Sequence, residues 1–357
     1  MIIVGASQGL FRLSEEGERD SQHFDGEKFM ALAVDGRRVA VSLYKSGVHL
    51  SEDSGRTWRD ITDGLAHADV RSLAFDPHIE GALYAGTEPA SVNRFEDGSW
   101  KILGDLQSVP ESKDWSFPVP PKIPHVRSIA PCPGVPERVY ALIEVGSLLV
   151  TEDGGENWRA LKGLGHDLHR LIVHPERPLD LIAATGHDTG VYRGGCGIYR
   201  SSDAGETWSH GIQGLEHRLY AEDAIAFWPD DPDTVLLASA DGIPPKWASL
   251  KELALGAFSG NVYFLNPSKL RRRKGADIAI YRSVDSGNSW TLVPDSNQCG
   301  LFDMVWALES GISDSGESAV WYGTTGGEIR MTSDKGETWR IVAKDLGAIT
   351  HLGALPE

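Results

Sequence analysis

Short, almost wholly apolar runs recur along the chain and are separated by turns. One set lies at 70–75, 126–130, 169–173 and 224–227, and a second set follows at 82–86, 138–142, 181–184, 235–238 and 319–323. Apolar runs of this length are typical of strands that are buried on both faces. Several runs of the first set end in a proline turn, as at Asp76-Pro77 and His174-Pro175. The pattern therefore predicts repeated units, each with a pair of buried strands.

Each unit continues with two shorter strands that flank a repeated motif, Ser/Thr-x-Asp-x-Gly-x-x-Trp. Full copies lie at 51–58, 151–158, 201–208, 283–290 and 332–339, and a shortened copy lies at 96–100. In such a turn the Asp can accept backbone N–H groups and the Gly can adopt a positive φ. The motif therefore predicts a hairpin whose Trp packs against the neighbouring unit.

Four strands per unit predict a blade of an all-β propeller. Six copies of the motif mark six blades. The 76 residues that run from Trp339 through both ends of the chain to Trp58 fit two compact blades, namely the blade that carries the first motif and a seventh blade without a motif. We therefore predict one domain, 1–357, that is a seven-bladed β-propeller of four-stranded antiparallel blades. Residues 349–355 resemble a first strand and residues 1–5 a second strand, so both termini are expected to close blade 1 and remove the open sheet edges.

Three segments interrupt the regular spacing and are predicted insertions on the ligand face: 105–125, 187–196 and 243–277. The last one, in blade 6, contains a short amphipathic helix at 247–255 that follows two prolines. It also contains the basic run 271–274, whose role stays open. Large loops over one face suggest a lid over a small-molecule site.

The repeated motif resembles the BNR, or Asp-box, family of propellers, and the match covers nearly the whole chain. This family includes sialidases, sortilin-type receptors, xyloglucan-acting glycosidases and photosystem II assembly factors. The resemblance implies that the motif lies on the hairpin of the third and fourth strands, away from the ligand face. Sialidases have six blades and an early Arg-Ile-Pro, which this chain lacks, so a sialidase is disfavoured.

The charge balance narrows the class of partner. The 357 residues carry a formal net charge of −17, which disfavours nucleic acid and anionic membrane surfaces as partners. The three cysteines are far apart, which argues against a disulfide framework or a cysteine zinc site. No apolar run approaches the length of a membrane span, and residues 1–10 lack the basic start of a signal peptide. The cytoplasm is the expected location, and the oligomeric state stays open.

Candidate chemistry lies where a propeller brings its loops together. The loops that enter the inner strands and those that join second to third strands share one face, and ligand sites favour such concave points. Aligned on the apolar runs, the inner-strand entrances carry Arg71, Arg127, His169, Asp223, Asp303 and approximately His351. The second-to-third loops add Tyr44, Glu88, Glu144 and His187, and the loop before blade 6 adds Tyr220 and Glu222.

The residue types at this mouth suggest several roles. Arg71 and Arg127 are expected to bind an anionic group of the substrate. Further candidate substrate-binding residues are Tyr44, Glu144, His187 and Tyr220. His169, Glu222, Asp223 and His351 are the candidate acids and bases, and Glu144 with Glu222 or Asp223 offers paired carboxylates for glycoside hydrolysis. A divalent metal is the candidate cofactor, with the nitrogen and oxygen ligands His169, Asp223, Asp303 and His351.

The leading hypothesis is a hydrolase or lyase that acts on a small anionic or sugar-like molecule at a lidded channel mouth. The alternative is a non-catalytic binding or assembly scaffold.

Overall fold

Seven four-stranded antiparallel sheets make up the described chain, with almost no helix. The computed structural model describes residues 1–117, 120–164, 167–186, 196–217, 220–240, 275–294 and 303–356, and for 220–222 it describes the backbone alone. Each sheet is one blade of a β-propeller, which confirms the predicted blade number and strand number. The strands are named below from the innermost to the outermost strand of each blade.

The first four blades have the following strands. Blade 1 contains β28 (Ile349–Ala354), β1 (Ile2–Ala6), β2 (Gly9–Leu13) and β3 (Arg19–His23). Blade 2 contains β4 (Phe29–Asp35), β5 (Arg38–Leu43), β6 (Gly47–Ser51) and β7 (Arg59–Asp60). Blade 3 contains β8 (Val70–Phe75), β9 (Leu83–Thr87), β10 (Val92–Glu96) and β11 (Ser99–Ile102). Blade 4 contains β12 (Val126–Pro131), β13 (Val139–Ile143), β14 (Leu148–Thr151) and β15 (Arg159–Leu161).

The remaining three blades repeat this arrangement. Blade 5 contains β16 (Leu168–Val173), β17 (Leu181–Thr185), β18 (Gly197–Ser201) and β19 (Ser209–His210). Blade 6 contains β20 (Tyr220–Trp228), β21 (Asp231–Ala240), β22 (Ile278–Ser283) and β23 (Thr291–Leu292). Blade 7 contains β24 (Val305–Ile312), β25 (Ser318–Thr324), β26 (Ile329–Thr332) and β27 (Arg340–Ala343).

The inner strands follow one another around a central channel, and each contacts the inner strand of the next blade. β24 contacts β28, and β28 contacts β4, so the contacts run around the full ring. Within blade 1, β28 pairs antiparallel with β1, with Leu352 opposite Val4. Each inner strand therefore pairs with the second strand of its own blade along one edge, and its other edge faces the channel.

The hydrophobic core lies between adjacent blades. Second strands such as β9, β13 and β17 are buried along their whole length, as the apolar runs predict. Between blades 7 and 1, for example, Val4 and Leu352 pack with Trp321. Residues that alternate along a strand point to opposite faces, so each strand contributes to the cores on both sides of its blade.

The repeated motif forms the turn between the third and fourth strands, as the resemblance implies. In the first copy, the Asp53 carboxylate accepts the backbone N–H of Arg56 at 3.0 Å and that of Thr57 at 2.8 Å, and Ser51 Oγ donates to it at 2.8 Å. Gly55 adopts a φ of +81°, which a side chain would strain. The Trp158 indole donates to the Leu103 carbonyl at 3.0 Å, across to the preceding blade. The motif therefore closes a hairpin and joins neighbouring blades at the end of the propeller opposite the inner-strand entrances.

The predicted insertions are described in part. The segment 105–125 contains two short 3₁₀ turns, Leu106–Ser108 and Pro110–Asp114. Residues 187–195 and 241–274, with the predicted helix at 247–255 and the basic run 271–274, lie outside the described residues. In the part of the chain that the structure describes, no helix is long and apolar enough to cross a membrane.

Candidate functional site

Main-chain hydrogen bonds hold the second-to-third loops against the inner-strand entrances. In blade 2 the Tyr44 N–H donates to the Lys28 carbonyl, and in blade 3 the Glu88 N–H donates to the Asp69 carbonyl, both at 2.8 Å. The Gly186 N–H makes the same bond to the Asp167 carbonyl in blade 5. Because both kinds of loop are tied together in this way, their side chains converge at one mouth of the channel.

A bulge near the start of each inner strand sets which side chain is presented there. The pairing with the second strand skips Arg71 in β8, Arg127 in β12 and His169 in β16, and it skips 222–224 in β20. A bulge leaves its extra residue out of the ladder and redirects the side chain. The register therefore places Arg71, Arg127 and His169 at equivalent bulge positions, and Asp223 lies within the longer irregularity of β20.

The same register corrects the prediction for two other blades. The bulge falls at Trp306 in β24 and at Thr350 in β28, rather than at Asp303 and His351. The bulge in blade 7 lies three positions after the predicted Asp303, and that in blade 1 lies one position before the approximate prediction, His351. Asp303 lies before β24 and packs against Gly326, and His351 is paired opposite Gly5.

The charged groups at the mouth form one connected set, which we call the mouth network. Its members are Asp69, Arg71, Glu88, His125, Arg127, Glu144, Asp167, His169 and Asp223. It contains five carboxylates and two guanidinium groups. The network is therefore acidic in balance, although both arginines lie where the sequence predicted them.

Arg71 occupies the blade 3 end of the network. Its Nε lies 2.8 Å from Asp69 Oδ1, and a terminal nitrogen lies 2.9 Å from Glu88 Oε2. The guanidinium carbon also lies 5.8 Å from the centre of the half-exposed Tyr44 ring. Arg71 is thus neutralised by two carboxylates of its own blade, which weakens its predicted role as an anion clamp.

His125 bridges the carboxylates of blades 3 and 4. Its Nε2 lies 2.8 Å from Glu144 Oε2, and its Nδ1 lies 3.5 Å from Glu88 Oε2. The imidazole is only 2% exposed, and Phe117 covers it edge-on with ring centres 4.9 Å apart. Phe117 therefore covers this part of the mouth.

Glu144 is one of the two buried carboxylates of the network, with 9% of its surface exposed. Burial alone would raise its pKa, but the hydrogen bond with His125 and the nearby charges of Arg127 and His169 outweigh burial and lower the pKa to about 2. Arg127 Nε lies 3.9 Å from Glu144, and the other side of the guanidinium contacts Asp223 of blade 6. Arg127 thus contacts carboxylates of blades 4 and 6.

A second cluster at the mouth joins blades 4 and 5. Ligand atoms of Glu144, Asp167 and His169 all lie within 4.8 Å of one another, and His169 Nε2 lies 3.3 Å from Asp167 Oδ1. Of the four predicted metal ligands, only His169 belongs to this cluster. Asp223 contacts Arg127 instead, and Asp303 lies against the loop of blade 7.

Two titratable groups line the channel close to the network. Burial lowers the pKa of His351 to about 4, since the facing charge of Asp223 only partly offsets it, and its Nδ1 lies 2.9 Å from Thr350 Oγ1. Burial raises the pKa of Glu309 on β24 to about 7, although the positive charge of Arg170 opposes this. At neutral pH His351 is therefore neutral, and Glu309 is the carboxyl group able to hold a proton.

Sequence reasoning missed two residues of the mouth network. Three of the predicted site residues have no described side chain. Asp69 and Asp167 were missed, and each stands two residues before a bulged residue, as His125 does. An Asp or His two residues before the bulged residue was therefore the sequence signal that could have identified them. His187 lies outside the described residues, and Tyr220 and Glu222 lie on β20, where only the backbone is described.

Comparisons with known proteins support the propeller fold. No protein-family model matches the chain. A xyloglucanase from Paenibacillus sp. is 22% identical over 320 residues, which cover 84% of this chain and 27% of the relative. The chain therefore spans about a quarter of the length of the curated relative that it matches.

Solved structures give the same fold at low identity. An ancestral GH74 enzyme superposes with a TM-score of 0.57 at 15% identity, over 99% of this chain and 39% of that one. YCF48 bound to D1 peptide superposes with a TM-score of 0.55 at 17% identity, over 88% of this chain and 82% of that one. YCF48 from Cyanidioschyzon merolae gives 0.54 at 14% identity, over 90% and 88%. Fold and site together define a β-propeller with a buried, charged channel mouth.

Proposed function

We propose that the protein is a hydrolase that cleaves a glycosidic bond in a small, sugar-like molecule at the channel mouth. The observation that carries the proposal is the Arg127 guanidinium between Glu144 and Asp223. This contact places the proposed base, Asp223, at the same mouth as the buried carboxylate Glu144. The similarity to a xyloglucanase and to a GH74 enzyme is consistent with this class.

The proposed acid is Glu309, whose pKa is raised to about 7, and the proposed base is Asp223 at the mouth. Asp223 accepts a proton from water, whose oxygen attacks the anomeric carbon, and Glu309 donates its proton to the departing glycosidic oxygen. Groups whose surroundings drive their pKa values apart are suited to such a division of acid and base roles.

The charge of the mouth favours a neutral substrate over an anionic one. Both arginines already contact two carboxylates each, and carboxylates outnumber guanidinium groups in the mouth network. An anionic ligand would meet net repulsion there, whereas sugar hydroxyl groups can hydrogen-bond to carboxylates and to His125. Of the two substrate classes that the sequence suggested, we therefore propose a sugar-like molecule rather than an anionic one.

The test is the release of reducing ends from xyloglucan and related oligosaccharides. We expect Asp223→Asn to lower turnover by about 100-fold or more, the usual effect of losing a general base. Asp233→Asn is the matched control, because Asp233 also pairs with an arginine, Arg177 at 2.6 Å, but at the opposite face. Wild-type protein that releases no reducing ends between pH 5 and 8, or equal losses in both variants, would rule out this function.

A peptide-binding module is the second candidate, and one observation favours it. Both arginines of the mouth network form ion pairs with carboxylates of the protein itself. A binding module, unlike an enzyme, does not need carboxylates that are available for catalysis. The solved structure of YCF48 with D1 peptide shows that a protein of this fold binds a peptide. An acidic mouth would select a basic segment. Capture of a lysine-rich peptide, without hydrolysis of any glycoside, would favour this candidate.

A further inference from the structure

We propose that Glu144, Asp167 and His169 bind one divalent cation of the Mn²⁺ or Zn²⁺ class. Their ligand atoms lie within 4.8 Å of one another, which is close enough for one ion to reach all three. Two carboxylates and an imidazole suit these ions, and three protein ligands leave positions open for water or substrate. As a cofactor site this inference rests on the proposed hydrolase function, but as a binding site it can be tested without it.

The burial of the ligands supports the inference. Glu144 is 9% exposed and His169 is 5% exposed, so a carboxylate and an imidazole are buried next to each other. A buried carboxylate has lost most of its water and needs compensating positive charge. Arg127 is the nearby guanidinium, and it also serves Asp223 from its other side. His125 and Arg127 already contact Glu144, so the charge that a cation adds at the triad would serve Asp167 as well.

The backbone fixes the three ligands before any ion binds. The Leu168 N–H donates to the Glu144 carbonyl at 2.9 Å, so the loop of blade 4 is tied to the entrance of blade 5. An isolated bridge between Val145 and Asp167 adds a second tie. Asp167 and His169 come from the same strand entrance, two residues apart. Ligands held on rigid elements bind an ion at a smaller entropic cost.

A glycine keeps space beside the triad. A Cβ atom on Gly186 would lie 2.7 Å from Asp167 Oδ2 and 2.7 Å from His169 Nε2. Heavy atoms that close would clash, so any other residue would occupy the volume next to two of the three proposed ligands. Gly186 has no positive φ in this structure, so the backbone itself does not require a glycine here. The requirement comes from the space beside the ligands.

The experiment measures Mn²⁺ binding to the full chain after treatment with EDTA, by electron paramagnetic resonance of free Mn²⁺. We expect one Mn²⁺ per wild-type chain, displaced by Zn²⁺. Asp167→Asn and His169→Gln should each weaken binding by about tenfold or more. Gly186→Ala should weaken it too, although it leaves all three ligands in place. Thermal unfolding in EDTA checks that each variant is folded.

Asp233→Asn is the matched control, because Asp233 is a carboxylate paired with Arg177 at 2.6 Å on the face opposite the triad. It should keep wild-type affinity. Absence of binding at millimolar Mn²⁺, or full affinity in folded Asp167→Asn, would overturn the inference. Mn²⁺ binding without glycoside hydrolysis would refute the proposed function and leave the site standing. Hydrolysis that persists in EDTA, without Mn²⁺ binding, would do the reverse.

Discussion

At the scale of single residues, burial acts on two channel groups in opposite directions. It raises the pKa of Glu309 to about 7 and lowers the pKa of His351 to about 4. In both cases the neutral form is favoured, because a narrow channel cannot solvate a charge as bulk water does. The sequence revealed neither shift, since both depend on which residues face the group across the channel.

Glu309→Gln tests this environment through its effect on stability. The folded-state pKa of about 7 lies above the ordinary value of 4.5, so the stabilising contribution is complete below pH 4.5 and is lost as pH rises through 7. Relative to wild type, the variant should therefore gain about 1–3 kcal/mol in free energy of unfolding between pH 5 and pH 8. Urea unfolding at both pH values measures the gain. The exposed control Glu16→Gln should show none, and an unchanged difference would mean that Glu309 titrates normally.

At the scale of elements, the repeated motif is a hydrogen-bonded turn that depends on an ionised Asp. The Asp203 carboxylate accepts the Thr207 hydroxyl at 2.5 Å and the Thr207 N–H at 2.9 Å, and these bonds, with that of Ser201, lower its pKa to about 2. Its contribution is present above the ordinary value of 3.8 and is lost as pH falls towards 2. Asp203→Asn should therefore lower the Tm by a few degrees at pH 7, and this deficit should shrink below pH 4.

Calorimetry across that pH range measures the deficit, with the exposed Asp63→Asn as the control. A deficit that stays constant down to pH 2 would mean that the charge of Asp203 is irrelevant to the turn.

The strands also show how far the sequence pattern reaches. The apolar run 70–75 coincides with β8, whereas the run 224–227 is only the centre of β20, Tyr220–Trp228. The bulges escaped prediction because a two-residue period indicates which face a residue occupies but not where one residue leaves the ladder. That is why Asp303 was aligned where Trp306 stands.

At the scale of the whole molecule, the sequence predicted the propeller and the face that carries the charges, because both follow from repeated local patterns. It did not predict which charges meet. Arg127 and Asp223 are 96 residues apart and come from blades 4 and 6, so their contact crosses the channel past blade 5. Such contacts depend on the closed ring rather than on spacing along the chain. The integrity of the ring should therefore control the site.

Deletion of residues 349–357 tests that dependence, because it removes the inner strand of blade 1. Ile349 and Leu355 are at most 2% exposed, and Leu352 pairs opposite Val4. Losing core side chains at about 2–5 kcal/mol each approaches the total stability of a typical domain, so the shortened chain should lose its cooperative thermal transition in circular dichroism. Deletion of 356–357 alone should have little effect. A synthetic peptide of residues 347–357 added in trans should restore the transition and Mn²⁺ binding together. If the shortened chain melts cooperatively at the wild-type temperature, β28 is dispensable and the ring is held by the other blades.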